Sequence, residues 1–131
     1  MFKKSDKAKS VDFAKQEIST LIGEGYHVKG DIEGTSVIRI DGKVTGNINA
    51  EGGIILGESG IIDGNLISRS AVIYGRVTGN IKSGQLELKK SGIVEGDIQT
   101  DTLEIELGAR FTGKLDMKQK DAVADSLKEV G

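Results

Sequence analysis

Residues 40–48 read I-D-G-K-V-T-G-N-I, with Ile40, Gly42, Val44, Gly46 and Ile48 on one parity and Asp41, Lys43, Thr45 and Asn47 on the other. Side chains alternate faces along an extended strand, so the segment predicts one apolar-or-glycine face and one polar face. The string returns as I-Y-G-R-V-T-G-N-I at residues 73–81 and, more worn, as L-G-A-R-F-T-G-K-L at 107–115. A version two residues longer occupies 22–32, 56–66 and 88–98. So aligned, long and short copies alternate without exception, in roughly six units with a period near 17 residues. Repetition at this period predicts a solenoid, in which each unit buries its face only against its neighbours.

Geometry narrows the solenoid further. About 17 residues at ~3.3 Å each make a perimeter of roughly 55 Å, or three sides of roughly 18 Å, which inward aliphatic side chains can fill. Six such rungs stacked ~4.8 Å apart stand roughly 29 Å tall. The fold class expected is therefore all-β: a single-stranded, triangular β-helix of about six rungs flanked by flexible tails. The competing fold is a β-sandwich with glycine turns, which has no reason to match whole units column by column.

The pattern is absent from residues 1–17 and again from 116–131, so the expected division is an N-terminal arm (1–17), a β-helix domain (18–115) and a C-terminal tail (116–131). Lys3, Lys4, Lys7 and Lys9 crowd behind Met1 and Phe2, and a short helix is conceivable near Phe13. Val123, Leu127 and Val130 follow helical spacing from a start near Asp121, although a helix this short is marginal alone. The sequence has no Pro, Cys or Trp, which excludes a disulfide framework and a thiolate metal site. A net charge of −2 singles out no acidic or basic partner. No apolar run reaches the ~20 residues of a membrane helix, and the first ten residues lack the apolar core of a signal peptide, so an intracellular location is expected.

Stacked rungs turn the sequence into columns. Asp31, Asn47, Asn65, Asn80, Asp97 and Lys114 follow the second glycine of each unit. Asn and Asp suit a corner, and stacked amides can hydrogen-bond along a ladder. Lys29, Thr45, Asp63, Thr78, Glu95 and Thr112 form a second column, in which threonines separate the charges. A third reads His27, Lys43, Ile61, Arg76, Ile93 and Arg110. Either the basic stems lie over the isoleucines or longer rungs turn those isoleucines inward; a cationic, sticky stripe for bundling or an acidic membrane is the functional alternative.

Catalytic signals are missing. His27 is the sole histidine and has no imidazole or thiol partner for a metal. The glycine-rich stretches fit neither GxxxxGK[ST] nor GxGxxG before a helix. Aromatics make up only 4%, and no basic footprint suggests nucleic acid. The column's ends differ from its middle, because their backbone groups have no neighbouring rung. Phe111 stands where earlier units have Val44, Ile62, Val77 and Val94, so its outer side is expected to be uncovered. Phe111, Leu107 and Leu115 are the candidate polymer interface, since two such ends meeting would bury them.

The opening T-L-I-G-E-G at residues 20–25, the V-K-G-D-I at 28–32, the M-F-K-K start and the alternating rungs resemble a bactofilin. The resemblance covers residues 20–115 and the first few. It implies a right-handed triangular β-helix, a bacterial cytoskeletal protein and polymerisation without nucleotide into non-polar filaments, like end meeting like end. It also implies a scaffold at the inner face of the cytoplasmic membrane, with Met1, Phe2, Lys3 and Lys4 matching the family's membrane-targeting segment, and no enzyme activity or cofactor. Cell-wall enzymes or other scaffold proteins are candidate partners. A hexapeptide-repeat acyltransferase and a non-filamentous adaptor are the other readings. A single histidine and unequal rungs argue against the first.

Overall fold

The alternation in the sequence is carried into space strand by strand. In Lys43–Thr45 only Val44 is buried, and in Ile48–Ala50 the middle residue, Asn49, is exposed between two buried ones. The computed structural model describes residues 18–117, which contain parallel β-strands and no helix. The first rung consists of β1 (Ile18–Ile22), β2 (His27–Lys29) and β3 (Ile32–Gly34). The second is β4 (Val37–Ile40), β5 (Lys43–Thr45) and β6 (Ile48–Ala50), and the third opens with β7 (Gly53–Leu56) and β8 (Ile61–Asp63). From there the chain runs through a corner without a break. The strand β9 (Leu66–Ile73) ends the third rung and starts the fourth, which continues with β10 (Arg76–Thr78). In the same way β11 (Ile81–Leu88), β12 (Ile93–Glu95) and β13 (Ile98–Ile105) lead to β14 (Arg110–Thr112) and β15 (Leu115–Met117), completing six rungs.

Inward columns make the core; Ile38, Ile54, Ala71, Leu86 and Leu103 form one in register on the first side, and three others hold an apolar residue on every rung. On the first side Ile22, Ile40, Leu56, Ile73, Leu88 and Ile105 are in register. On the second side the column is Val28, Val44, Ile62, Val77, Val94 and Phe111. On the third side it is Ile32, Ile48, Leu66, Ile81, Ile98 and Leu115. Members of these three columns on rungs two to five are all 0–1% exposed. Parallel strands with aliphatics stacked at ~4.8 Å exclude water from such a column, and that burial is the main stabilising term.

Register corrects one expectation. Ile105, not Leu107, pairs with Leu88. The sixth unit is therefore residues 105–115, a long copy, and the alternation of long and short fails at the last rung. Ile105 and Leu107 share a parity, so the apolar pattern accepts either; the pairing of β13 along β11 decides. Leu107 lies instead at the tip of the turn, where the other long copies carry Glu24, Glu58 and Lys90. The last strand also takes in Asp116 and Met117, assigned by pattern to the tail. Residues 1–17 and 118–131 are outside the described part, and with them the arm, most of the tail, the helices considered near Phe13 and Asp121, and the segment Met1, Phe2, Lys3, Lys4.

Candidate functional site

The three corners are built from different chemistry. At the corner between the second and third sides, the predicted Asx column is a ladder, but its hydrogen bonds go to backbone. The Asn47 N–H donates to Asp31 Oδ1 at 3.0 Å, Asn65 N–H to Asn47 Oδ1 at 3.1 Å and Asn80 N–H to Asn65 Oδ1 at 3.1 Å. The series continues from Asp97 N–H to Asn80 Oδ1 at 3.0 Å and from Lys114 N–H to Asp97 Oδ1 at 3.2 Å. Each side-chain oxygen satisfies an amide in the rung that follows, at a corner where strand pairing does not. With Lys114 the ladder stops, because an ammonium cannot accept.

At the corner between the third and first sides, hydroxyls turn inward. Ser68 Oγ donates to the Ser70 carbonyl at 2.9 Å, Ser83 Oγ to Thr100 Oγ1 at 3.2 Å, and Thr100 Oγ1 to the Thr102 carbonyl at 2.9 Å. These buried oxygens are all paired, as burial requires.

Between the first and second sides the turns are long or short, and the long ones project as walls. The shallow groove so formed has a floor of Ile55, Val72 and Tyr74. Its edges carry Arg39, bonded to Asp41 at 3.0 and 3.1 Å, and Lys89, whose Nζ lies 3.0 Å from Glu87 and 3.6 Å from Glu106. The hydrogen bond to Asp41 raises the Arg39 pKa and burial opposes it. Glu87 likewise raises Lys89 above the usual 10.5. Every cation here has an anion, and among the described residues no three His, Asp or Glu side chains gather to hold a metal.

The mixed column on the second side faces outward throughout. Ile61 is 38% exposed and pairs in register between Lys43 and Arg76, so the longer rungs do not turn their isoleucines inward. Arg76 reaches past Ile93 to Glu95 at 3.1 Å, and His27 Nε2 sits 2.8 Å from Thr45 Oγ1.

Both ends leave apolar surface uncovered. On the last rung Leu107 is 95% exposed, Ile105 47%, Leu115 44% and Met117 43%, while Phe111 is half-buried against Val94 and the core. On the first rung Tyr26 is 72% and Leu21 61% exposed, and Ile22, Val28 and Ile32 are only partly covered. Of the predicted interface, Phe111 and Leu115 face inward at the rim and Leu107 projects from the turn. Ile105, Met117, Leu21 and Tyr26 escaped the sequence pattern. Tyr26 did leave a signal. In register it occupies the place of Gly42, Gly60, Gly75, Gly92 and Ala109, small residues in a column where a Cβ at the glycines would meet atoms of adjoining turns, so a side chain as large as tyrosine marks a rung with nothing before it.

A model of the bactofilin family, described as polymer-forming cytoskeletal, matches residues 20–116. Bactofilin BacO of Myxococcus xanthus (strain DK1622) is 36% identical over 104 residues, which cover 79% of this chain and 82% of that protein. Bactofilin BacP of the same strain is 29% identical over 111 residues, 84% of this chain but only 46% of BacP. Among solved structures, a cryo-EM reconstruction of Thermus thermophilus bactofilin double helical filaments superposes with a TM-score of 0.72 at 29% identity, over 76% of this chain and 99% of that one. The solid-state NMR structure of the cytoskeletal bactofilin BacA gives 0.67 at 28% identity, over 76% and 96%.

Proposed function

Because this chain belongs to the bactofilin family of polymer-forming cytoskeletal proteins, we propose that it assembles end to end, without nucleotide, into non-polar filaments that serve as a membrane-associated scaffold. Its family consists of structural proteins, not enzymes. The observation that carries the reading is the contrast within the core columns. Interior members are 0–1% exposed, whereas their continuations on the last rung, Ile105 and Leu115, are 47% and 44% exposed. A second copy is the natural surface to finish columns that this chain leaves open, and it would pair the free strand edges as well.

The Asx ladder favours like end meeting like end. In a head-to-tail stack the Asp31 N–H, which has no rung before it, would face Lys114, a donor against a donor. Nucleotide independence is supported by the lack of any phosphate-binding glycine motif.

Phe111→Arg is the test of assembly. Since Phe111 lies on the terminal rung, the variant is expected to fold and to sediment as short, soluble species; filaments of ordinary length in negative stain would refute the contact. Membrane attachment rests on Met1, Phe2, Lys3 and Lys4, and the scaffold would then sit in the cytoplasm against the inner face of the membrane. No helix among the described residues is long and apolar enough to cross a bilayer. One lysine near an anionic surface is worth ~1 kcal/mol, and a filament displays many arms together. Removing the first four residues should abolish co-sedimentation with anionic liposomes while filaments still form.

A further inference from the structure

We propose that two copies join at their last rungs about one particular two-fold axis, which sets Lys114 of each against Asp116 of the other. The inference rests on the end-to-end reading above and names the pairing at the C-terminal end.

Like ends that meet are related by a two-fold axis lying across the stack. Three such axes lay one triangle over another, each normal to one side and passing through the opposite corner. The strand that the axis crosses meets its own copy antiparallel, and the two remaining sides change places. Directly opposed side chains in an antiparallel pair share a face, so inward residues must meet inward residues. On the last rung these are Ile105, Phe111 and Leu115, fixed by their register with Leu88, Val94 and Ile98. Their neighbours then follow, and charge separates the three axes.

An axis normal to the first side puts Ile105 over Ile105 and Glu104 against Glu106 of the other copy. An axis normal to the second puts Ile105 over Leu115 and Glu104 against Asp116. Both press carboxylates together, which destabilises a strand pair. An axis normal to the third side puts Leu115 over Leu115 and Ile105 over Phe111. Lys114 then stands opposite Asp116, Arg110 opposite Glu106, and Glu104 opposite the neutral Thr112. Every charged pair is complementary, and symmetry makes each pair twice. The same axis passes through the corner that carries Leu107, so the two most exposed leucines arrive at one place.

The charges concerned are available. Arg110, Lys114 and Asp116 are exposed and, among the described residues, form no ion pair. Asp116 lies beside Gln99 in register, so the rung before supplies it no cation. Glu106 is held at the rim by the Lys90 N–H at 2.8 Å. Lys114 replaces the Asn or Asp of every earlier rung at the one place where the stack ends and another copy's carboxylate would begin.

Two charge variants of the full chain, Lys114→Asp and Asp116→Lys, test the pairing alone and mixed. Each alone sets like charges opposite each other, and its threshold concentration for assembly should rise about tenfold. An equal mixture restores opposite charges at both positions, and should assemble within about threefold of the native threshold, with both chains in the pellet. The double variant, carrying both changes in one chain, should assemble unaided; rescue of either kind also shows that the variants fold. Either single variant assembling as readily as the native chain, or a mixture no better than its parts, would overturn the pairing while native filaments uphold the polymer. A native chain that never assembles would instead sink the end-to-end reading, and this contact with it.

Discussion

The corner joining the second and third sides turns in the same way on every rung, through a glycine followed by an Asx residue or, at the end, Lys114. The six glycines have φ between +135° and +154°. The corner joining the first and second sides has no fixed length: four rungs use the long turn and two the short one. Both corners belong to one triangle and bound the same inward columns. What separates them is how closely successive rungs approach. At the Gly-Asx corner every glycine after the first rung lies against the backbone of the rung before, whereas the tip of a long turn is looser: at Gly108 a notional Cβ would meet the flexible Lys90 side chain at 3.1 Å and its carbonyl only at 3.4 Å. Contact between rungs, not the turn itself, decides how much variation a corner tolerates.

Gly64→Ala tests this most severely. Its φ is +154°, and a Cβ would land on the carbonyl of Gly46 in the rung before. A backbone collision adds to the conformational strain, so the expected loss is about 3 kcal/mol or more in chemical denaturation. Gly25→Ala at the other corner has φ +94° and open space, leaving strain alone at about 1–2 kcal/mol. Equal losses would show that φ, not the neighbouring rung, constrains both.

Lys89→Ala should follow. Lys89 clamps two successive rungs from the variable corner, reaching Glu87 and Glu106, and Glu87 is only 5% exposed. Removing a charged partner from so buried a carboxylate should cost about 1–3 kcal/mol. The pKa direction adds a pH signature. Folding raises Lys89 above 10.5, so its contribution is complete below that pH and is lost as pH climbs through the folded value. The stability gap between native chain and variant should accordingly stay constant from neutral pH to about 10 and shrink beyond it, measured by urea titration across the alkaline range.

The same contrast explains what could be read from the letters. Alternation revealed the inward columns because each rung repeats one short set of apolar positions, and the Asx column because every unit has it at a fixed distance after a glycine. Reading failed where spacing varied. Ile105 and Leu107 have equal parity, and only pairing along a whole strand separates them. Ser68, Ser83 and Thr100 share the parity of the inward Leu66, Ile81 and Ile98 but carry no apolar signal; they can point inward because neighbouring carbonyls and hydroxyls satisfy them. The open ends were legible at Phe111, through its size, but not at Met117 or Leu21, whose exposure follows from the absence of a further rung and not from their own character.

Asn65→Ala asks how much the ladder itself holds. The Asn80 N–H loses its acceptor, but the corner is exposed and water can replace it, so about 0.5–1 kcal/mol is expected. Asn65→Asp keeps an oxygen in place and should recover most of that. Failure to recover would mean that the amide serves something other than the Asn80 backbone.

The smallest effect is expected from deleting Glu58 and Ser59, which would turn the third rung's long turn into the short form seen at Asp41-Gly42 and Tyr74-Gly75. The Gly60 N–H bond to the Gly57 carbonyl disappears with it. Against that, two fewer residues need ordering in a projecting turn, and loop length alone carries little free energy. The net change should stay within about 1 kcal/mol, with filaments unaltered in negative stain. The same cut made beside Gly64 would move Leu66 off the core column, because two residues cannot be removed from a corner whose backbone already touches the rung before it. A deletion of Glu58 and Ser59 that unfolded the chain would therefore show that the long turns brace the stack, and the freedom of that corner would be only apparent.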